Sequence, residues 1–412
     1  DVNDPPQFNI PSPVINVQED LENSPVNGFV TNIVPGPASA TDEVNQTITF
    51  TVTALDPTRF NGPAGLPKIS PAGVLTYDLA PDVNQLNSGP ILVTVTAFDS
   101  GFAAGSRPGV PDNNQSITQT FTLLVQDVND APQFTIPDPV IPIFEDLEVS
   151  PQSGFITNIQ AGPNTAVDEL GLVSGVTGQT VSFVVEAVDP TRFNGVAGQP
   201  KISPTGVLTY DLAQDVNQLN SGPILVKVTA VDSGNAPGSR PGIPDVNSSA
   251  TSTFTLLVTE VNDAPLFTIP DPLIQIEEDL EVSPLNGFVT NIVAGPPTAT
   301  DELGLNPPTA GQTITFDVRA VDPTRFNGTA GQPKISPTGV LTYDLAPDIN
   351  RLNSGDIFVT VNAVDSGSST SPNINRSITQ TLTIRVAEIN DAPIFDMAST
   401  TYNLREDAGF QT

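Results

Sequence analysis

The stretch Asp127-Val128-Asn129-Asp130-Ala131-Pro132-Gln133-Phe134 decides how this chain is built, because it returns. It reappears as Glu260-Val261-Asn262-Asp263-Ala264-Pro265-Leu266-Phe267 and as Glu388-Ile389-Asn390-Asp391-Ala392-Pro393-Ile394-Phe395, and the chain opens on a copy, Asp1-Val2-Asn3-Asp4-Pro5-Pro6-Gln7-Phe8. Asn3 to Asn129 is 126 positions, Asn129 to Asn262 is 133 and Asn262 to Asn390 is 128. A recurrence of this kind is the mark of a tandem array. It predicts units at 1–126, 127–259 and 260–387, with 388–412 beginning a fourth.

The unequal periods trace to two places. Asp42 to Asp56 spans 14 positions, but Asp168 to Asp189 and Asp301 to Asp322 span 21; Asp99 to Asn129 and Asp232 to Asn262 span 30, but Asp365 to Asn390 spans 25. Length varies freely only in surface loops, since a packed strand cannot gain a residue without turning its core face outward. Between these loops the pattern has period two. Ile48, Phe50 and Val52 alternate with Thr47, Thr49, Thr51 and Thr53, and Ile91, Val93, Val95 and Ala97 alternate with Leu92, Thr94 and Thr96. Phe121, Leu123 and Val125 repeat the alternation before the linker. Each run predicts a strand with one face in a core. With 42 Pro and 31 Gly punctuating 412 residues, and no sustained 3.6-residue period, an all-β sandwich of about seven strands per unit is expected.

Composition narrows the chemistry. The chain has no His, Cys or Trp, and 14 basic residues stand against 46 acidic ones for a net charge of −32. There is no imidazole base, no thiolate, and no nitrogen or sulfur ligand set for zinc or copper. So negative a chain repels phosphate backbones, which excludes nucleic acid as a partner. The hydrophobic content of 38% is enough for packed cores. Abundant carboxylates without soft ligands suit Ca2+, a cation available mainly outside cells. No run of 18 apolar residues spans a membrane and no leader opens the segment, so an export signal or anchor is expected outside it.

The linker motif, with three further features, resembles the cadherin repeat. Glu19-Asp20 followed by Ser24-Pro25 recurs as Glu145-Asp146 with Ser150-Pro151 and as Glu278-Asp279 with Ser283-Pro284, similar to the segment closing the first cadherin strand. Thr94-Val95-Thr96-Ala97-Phe98-Asp99, with counterparts ending in Asp232 and Asp365, is similar to the strand end that carries a cadherin Asp. Asp42-Glu43, Asp168-Glu169 and Asp301-Glu302 stand where cadherins carry Asp-x-Asp. The likeness covers nearly the whole chain, and segments such as Ile202-Ser203-Pro204-Thr205-Gly206-Val207-Leu208 bring it nearest to the cadherin-like or Ig-like tandem repeats of giant bacterial surface proteins and adhesins. It implies Greek-key β-sandwich repeats joined end to end, with Ca2+ at each junction. Two departures matter. The ligating cadherin Glu is replaced by Asn84, Asn217 and Asn350, which implies fewer than three ions per junction, and the absence of Trp removes adhesion by an inserted Trp.

The ligand set follows from the register of the repeat. The first junction would gather Glu19, Asp20, Asp127, Asn129, Asp130, Asp168, Glu169 and Asp232; the second, Glu145, Asp146, Glu260, Asn262, Asp263, Asp301, Glu302 and Asp365. Corresponding positions at the ends of the segment are Asp1, Asn3, Asp4, Asp42, Glu43 and Asp99, and Glu278, Asp279, Glu388, Asn390 and Asp391. Without a counter-ion such clusters would push the joint apart; Ca2+, which takes six to eight oxygens, would turn them into a stiffener. The expected role is a calcium-stiffened segment of an extracellular stalk, filament or adhesin, with neighbouring repeats, and like copies in a filament or surface layer, as partners. An adhesive or carbohydrate-binding surface on the sandwich loops is the alternative. A glycosidase-like carboxylate pair fits poorly, since the acidic groups recur once per unit instead of once per chain. The repeated Asp56-Pro57-Thr58-Arg59-Phe60-Asn61-Gly62 reads as a structural turn, and Tyr77, Tyr210 and Tyr343 as core or corner residues. Triplets such as Asn45-Gln46-Thr47 are weak glycosylation signals.

Overall fold

The alternating runs form strands, and one set of eight strands occurs three times in the computed structural model. The structure describes residues 1–20, 25–146, 151–278, 284–307, 309–397, 401 and 406. In the first repeat the strands are β1 (Gln7–Asn9), β2 (Val14–Gln18), β3 (Thr31–Val34), β4 (Ile48–Ala54), β5 (Lys68–Ile69), β6 (Leu75–Thr76), β7 (Ile91–Asp99) and β8 (Gln119–Gln126). A four-stranded sheet runs β2-β8-β7-β4, and β1-β3 and β5-β6 make two-stranded sheets. The order recurs for Val140–Phe144, Ser252–Thr259, Ile224–Asp232 and Val181–Ala187, and again for Leu273–Glu277, Gln380–Ala387, Ile357–Asp365 and Ile314–Ala320.

Alternation puts one face of each strand inside. On β7 every second residue from Ile91 to Asp99 is buried, and Val93, Val95, Ala97, Phe121 and Leu123 have no exposed surface. Each such Val, Leu or Phe contributes roughly 1.5–3 kcal/mol. Edge-to-face ring pairs close the core between sheets: Phe8 of β1 lies 5.6 Å from Phe50 of β4, and Phe29 lies 4.8 Å from Phe121 of β8. Tyr77, Tyr210 and Tyr343 are core residues. The repeated Asp-Pro segment is a structural turn: Asp56 accepts the Thr58 N–H at 3.1 Å, pairs with Arg59 at 2.9 Å, and the turn delivers buried Phe60 to the core. Among the described residues the helices are single turns of four residues or fewer.

One pairing positions everything that follows. β2 runs parallel to β8, with Gln18 opposite Gln126, whereas β7 is antiparallel to both β8 and β4. The residues leaving β2, Glu19 and Asp20, therefore emerge beside the linker that leaves β8, and the turn entering β7 arrives at the same end. Asp99, at the far end of β7, belongs to the opposite end, opposite Ile48.

By contact density the chain forms two compact units. One comprises Asp1–Ile143, Leu147–Ala213 and Pro223–Leu257. The other comprises Phe144–Asp146, Gln214–Gly222 and Val258–Thr412, so the acidic loops of the second repeat group with the third.

Candidate metal centre

Among the described residues two carboxylate triads stand out, one in each unit. Asp20, Asp82 and Asp130 each present an oxygen within 4.8 Å of the other two, and so do Asp146, Asp215 and Asp263. Two oxygens bound to one calcium are separated by at most about 5 Å, twice the Ca–O length of roughly 2.3–2.6 Å, so the spacing fits that ion. Backbone geometry aims these side chains. Asp20, Asp82, Asp146 and Asp215 all have positive φ, between 53° and 56°, a conformation Asp tolerates because its short side chain bonds locally. The Asp82 N–H donates to Asp20 Oδ1 at 3.0 Å, and the Asp215 N–H to Asp146 Oδ1 at 3.2 Å.

Around the first triad, Glu19 is buried at the end of β2 and ties the linker down: its Oε1 accepts the Val128 N–H and its Oε2 accepts from Asn84 Nδ2. Glu169, from the following repeat, accepts the Asp130 N–H at 2.8 Å. Glu145 and Glu302 hold Val261 and Asp263 in the same way. A glycine lies against each buried Glu of this second kind. A Cβ on Gly162 or Gly295 would come within 2.0 Å of Glu169 or Glu302 Oε2.

The cluster is electrically expensive by itself. Burial, opposed by the Val128 and Asn84 hydrogen bonds and reinforced by Asp127 and Asp168, pushes Glu19 up to about 9. Burial, then the charges of Asp82 and Asp20, puts Asp130 at about 7; burial, then Asp215 and Asp146, does the same to Asp263. Burial drives Glu145, Glu169 and Glu302 to about 8. Asp127 reaches about 6 through burial and Asp168, although Arg240 stands 3.6 Å from it. Buried oxygens of Asp215, Glu169, Asp232, Glu302 and Asp365 have no hydrogen-bond partner. Unpartnered buried carboxylate oxygens in a set made only of hard donors fit a divalent oxophilic cation.

Not every residue singled out in the sequence lies in a triad. Asn129 is a donor: its Nδ2 reaches Asp232 at 3.2 Å and the Val246 carbonyl at 2.8 Å, while its Oδ1 accepts from Gln179. Asn3 with Asp99, and Asn262 with Asp365, repeat the pairing. Glu43 accepts the Asp4 N–H at 2.6 Å, and Asp1 and Asp42 are exposed. Asp168 and Asp301 are buried beside Asn84 and Asn217, and Glu260 is half-buried with Asp301 nearby. Glu278 is buried and accepts the Ile389 N–H; Glu388, Asn390 and Asp391 are exposed. Asp279, like Ser24, Ser150 and Ser283, lies outside the described residues. Sequence reasoning missed Asp82 and Asp215 as members of the set. Their signal was present in the recurrence of Asp82, Asp215 and Asp348 two positions before the repeated Asn. Asp245 was missed as well; it accepts the Asn129 N–H and pairs with Arg240.

No protein-family model matches the chain, and no curated protein matches it. Among solved structures, mouse Cadherin-23 EC22–24 is similar over 94% of this chain and 100% of its own, at 18% identity and a TM-score of 0.43. Drosophila N-cadherin EC1–4 is similar over 95% of this chain and 76% of its own, at 18% identity and a TM-score of 0.34. The extracellular cadherin domains 1–5 of Protocadherin Gamma B2 are similar over 94% of this chain and 60% of their own, at 16% identity and a TM-score of 0.44. Among the described residues no helix is long and apolar enough to cross a membrane.

Proposed function

We propose that this chain is a structural segment of an extracellular stalk, filament or adhesin, built from cadherin-like repeats at 1–126, 127–259 and 260–387 and stiffened by Ca2+ at the junctions. The observation that carries the reading is the pair of triads, Asp20–Asp82–Asp130 and Asp146–Asp215–Asp263, each joining carboxylates of one repeat to the linker that starts the next. Each would hold one ion. Glu19, Asp127 and Asp168, and correspondingly Glu145, Glu260 and Asp301, would supply a second position, giving two ions per junction. Bound Ca2+ would cancel the mutual repulsion of these carboxylates and fix the linker to both neighbours. The residues themselves hold the linker: Glu19, from the preceding repeat, accepts the Val128 N–H, and Glu169, from the following one, accepts the Asp130 N–H two positions on.

A calcium titration of the whole chain, followed by small-angle scattering with and without chelator, tests the reading. The maximum dimension should rise with calcium at roughly 10⁻⁴–10⁻³ M, the range of extracellular modules, and native mass spectrometry should count two ions per junction. An unchanged dimension and no bound calcium would end it.

A further inference from the structure

A buried asparagine opens a one-turn helix in every repeat, and its orientation is not free. Asn84 Oδ1 accepts the N–H groups of Leu86 at 2.8 Å and Asn87 at 3.1 Å, and the Asn87 side chain returns a bond to the Asn84 N–H. The capping box uses both acceptor directions of Oδ1, so Nδ2 must face the other way. There it lies 2.8 Å from Glu19 Oε2, in its own repeat, and 3.1 Å from Asp168 Oδ2, in the next. Asn217 repeats the arrangement, capping with Oδ1 and donating to Glu145 at 2.7 Å and Asp301 at 3.2 Å. Asn350 caps its helix and reaches Glu278 at 2.7 Å. Asn84 and Asn217 are each only 1% exposed.

We infer that Asn84 and Asn217 are cation-independent latches: each is a neutral amide whose two N–H groups bridge carboxylates of successive repeats at a point where a carboxylate in its place would demand an ion. The sequence suggests a weakened ligand at this position; the capping box makes it a donor and no ligand at all. The joint then keeps this attachment when calcium is withdrawn and needs one ion fewer when calcium is present. Only the ion count rests on the calcium reading. The attachment does not.

Asn84→Asp in the full chain separates the two. Asp caps a helix as well as Asn does, so the turn survives, but an oxygen now faces Glu19 and Asp168. In chelator, amide hydrogen exchange at linker positions 128–130 should rise at least about tenfold, equivalent to roughly 1.4 kcal/mol, with positions 261–263 unchanged; with calcium, the chain should bind one additional ion. Asn84→Ser keeps a cap too short to reach either carboxylate, and should loosen the same linker without adding an ion. Asn350→Asp, whose amide holds, among the described residues, only its own repeat's Glu278, should disturb neither linker. Unchanged exchange at 128–130 in both Asn84 variants, with core amides 226–230 still protected, would overturn the latch, and so would an unchanged ion count in a calcium-binding Asn84→Asp chain. A chain that binds no calcium would end the proposed function, while the chelator measurement would still decide the latch.

Discussion

Replacing Asp130 by Asn should act with opposite sign in the presence and absence of calcium. The substitution preserves shape and leaves the backbone N–H on Glu169 Oε1 in place, while it removes one charge from a triad whose oxygens lie within 4.8 Å. Two unit charges no farther apart than that repel by at least about 3.5 kcal/mol at an effective dielectric constant of about 20 before solvent screening, and Asp130 faces two such neighbours, Asp82 and Asp20. Asp20 is exposed, so solvent screens part of this, and a relief of about 1–2 kcal/mol in chelator is expected. With calcium the variant loses an anionic ligand. An ion held at a Kd of roughly 10⁻⁴ M stabilises by about 2.7 kcal/mol at 10 mM, a hundredfold excess, and that contribution should disappear from the first junction alone. Hydrogen exchange of amides 82–88, compared with 215–221 in the same chain, resolves the two junctions. Protection at 82–88 should increase in chelator at pH 8 and decrease in calcium, with 215–221 constant. A shift in the same direction under both conditions would refute electrostatic control of the joint.

The pH dependence of the metal-free chain should be inverted relative to an ordinary salt-bridged protein. Glu19 at about 9 and Glu145, Glu169 and Glu302 at about 8 bind protons more tightly folded than unfolded, so their contribution is fully present below about 4.5 and is lost as pH rises through 8–9; melting in chelator should fall steadily from pH 5 to 9, and a rise over that range would contradict these environments. Gly162→Ala drives a Cβ into Glu169 Oε2 and should cost about 1–3 kcal/mol, with exchange at Asp130 increasing first; a wild-type melting curve would show that Glu169 moves aside freely. Phe121→Ala empties a site with no exposed surface and should cost about 3–5 kcal/mol, while the calcium count of the second junction stays fixed; loss of calcium there would mean that the repeats do not fold separately. Arg240→Gln frees Asp127 from its only cationic neighbour among the described residues and should tighten calcium at the first junction several-fold, whereas unchanged binding would show Asp127 to be no ligand.

The sequence alone determines the repeat, the strands and the core face, because these depend on local periodicity: the alternation Ile91, Val93, Val95, Ala97 describes the inward face of β7 before any partner strand is known. It also marks Glu19, Asp130 and Asp168 by recurrence. What it does not carry is which of the acidic residues meet. That is decided by the parallel pairing of β2 with β8, across more than a hundred residues, which brings Glu19 and Asp20 out beside the linker, and by the turn into β7, which adds Asp82. The same tertiary contacts set Asn129 to bonding Asp232 and turn Asn84 from an apparent ligand into a donor. An asparagine side chain has an accepting end and a donating end, and only the folded helix cap determines which of them faces the carboxylates.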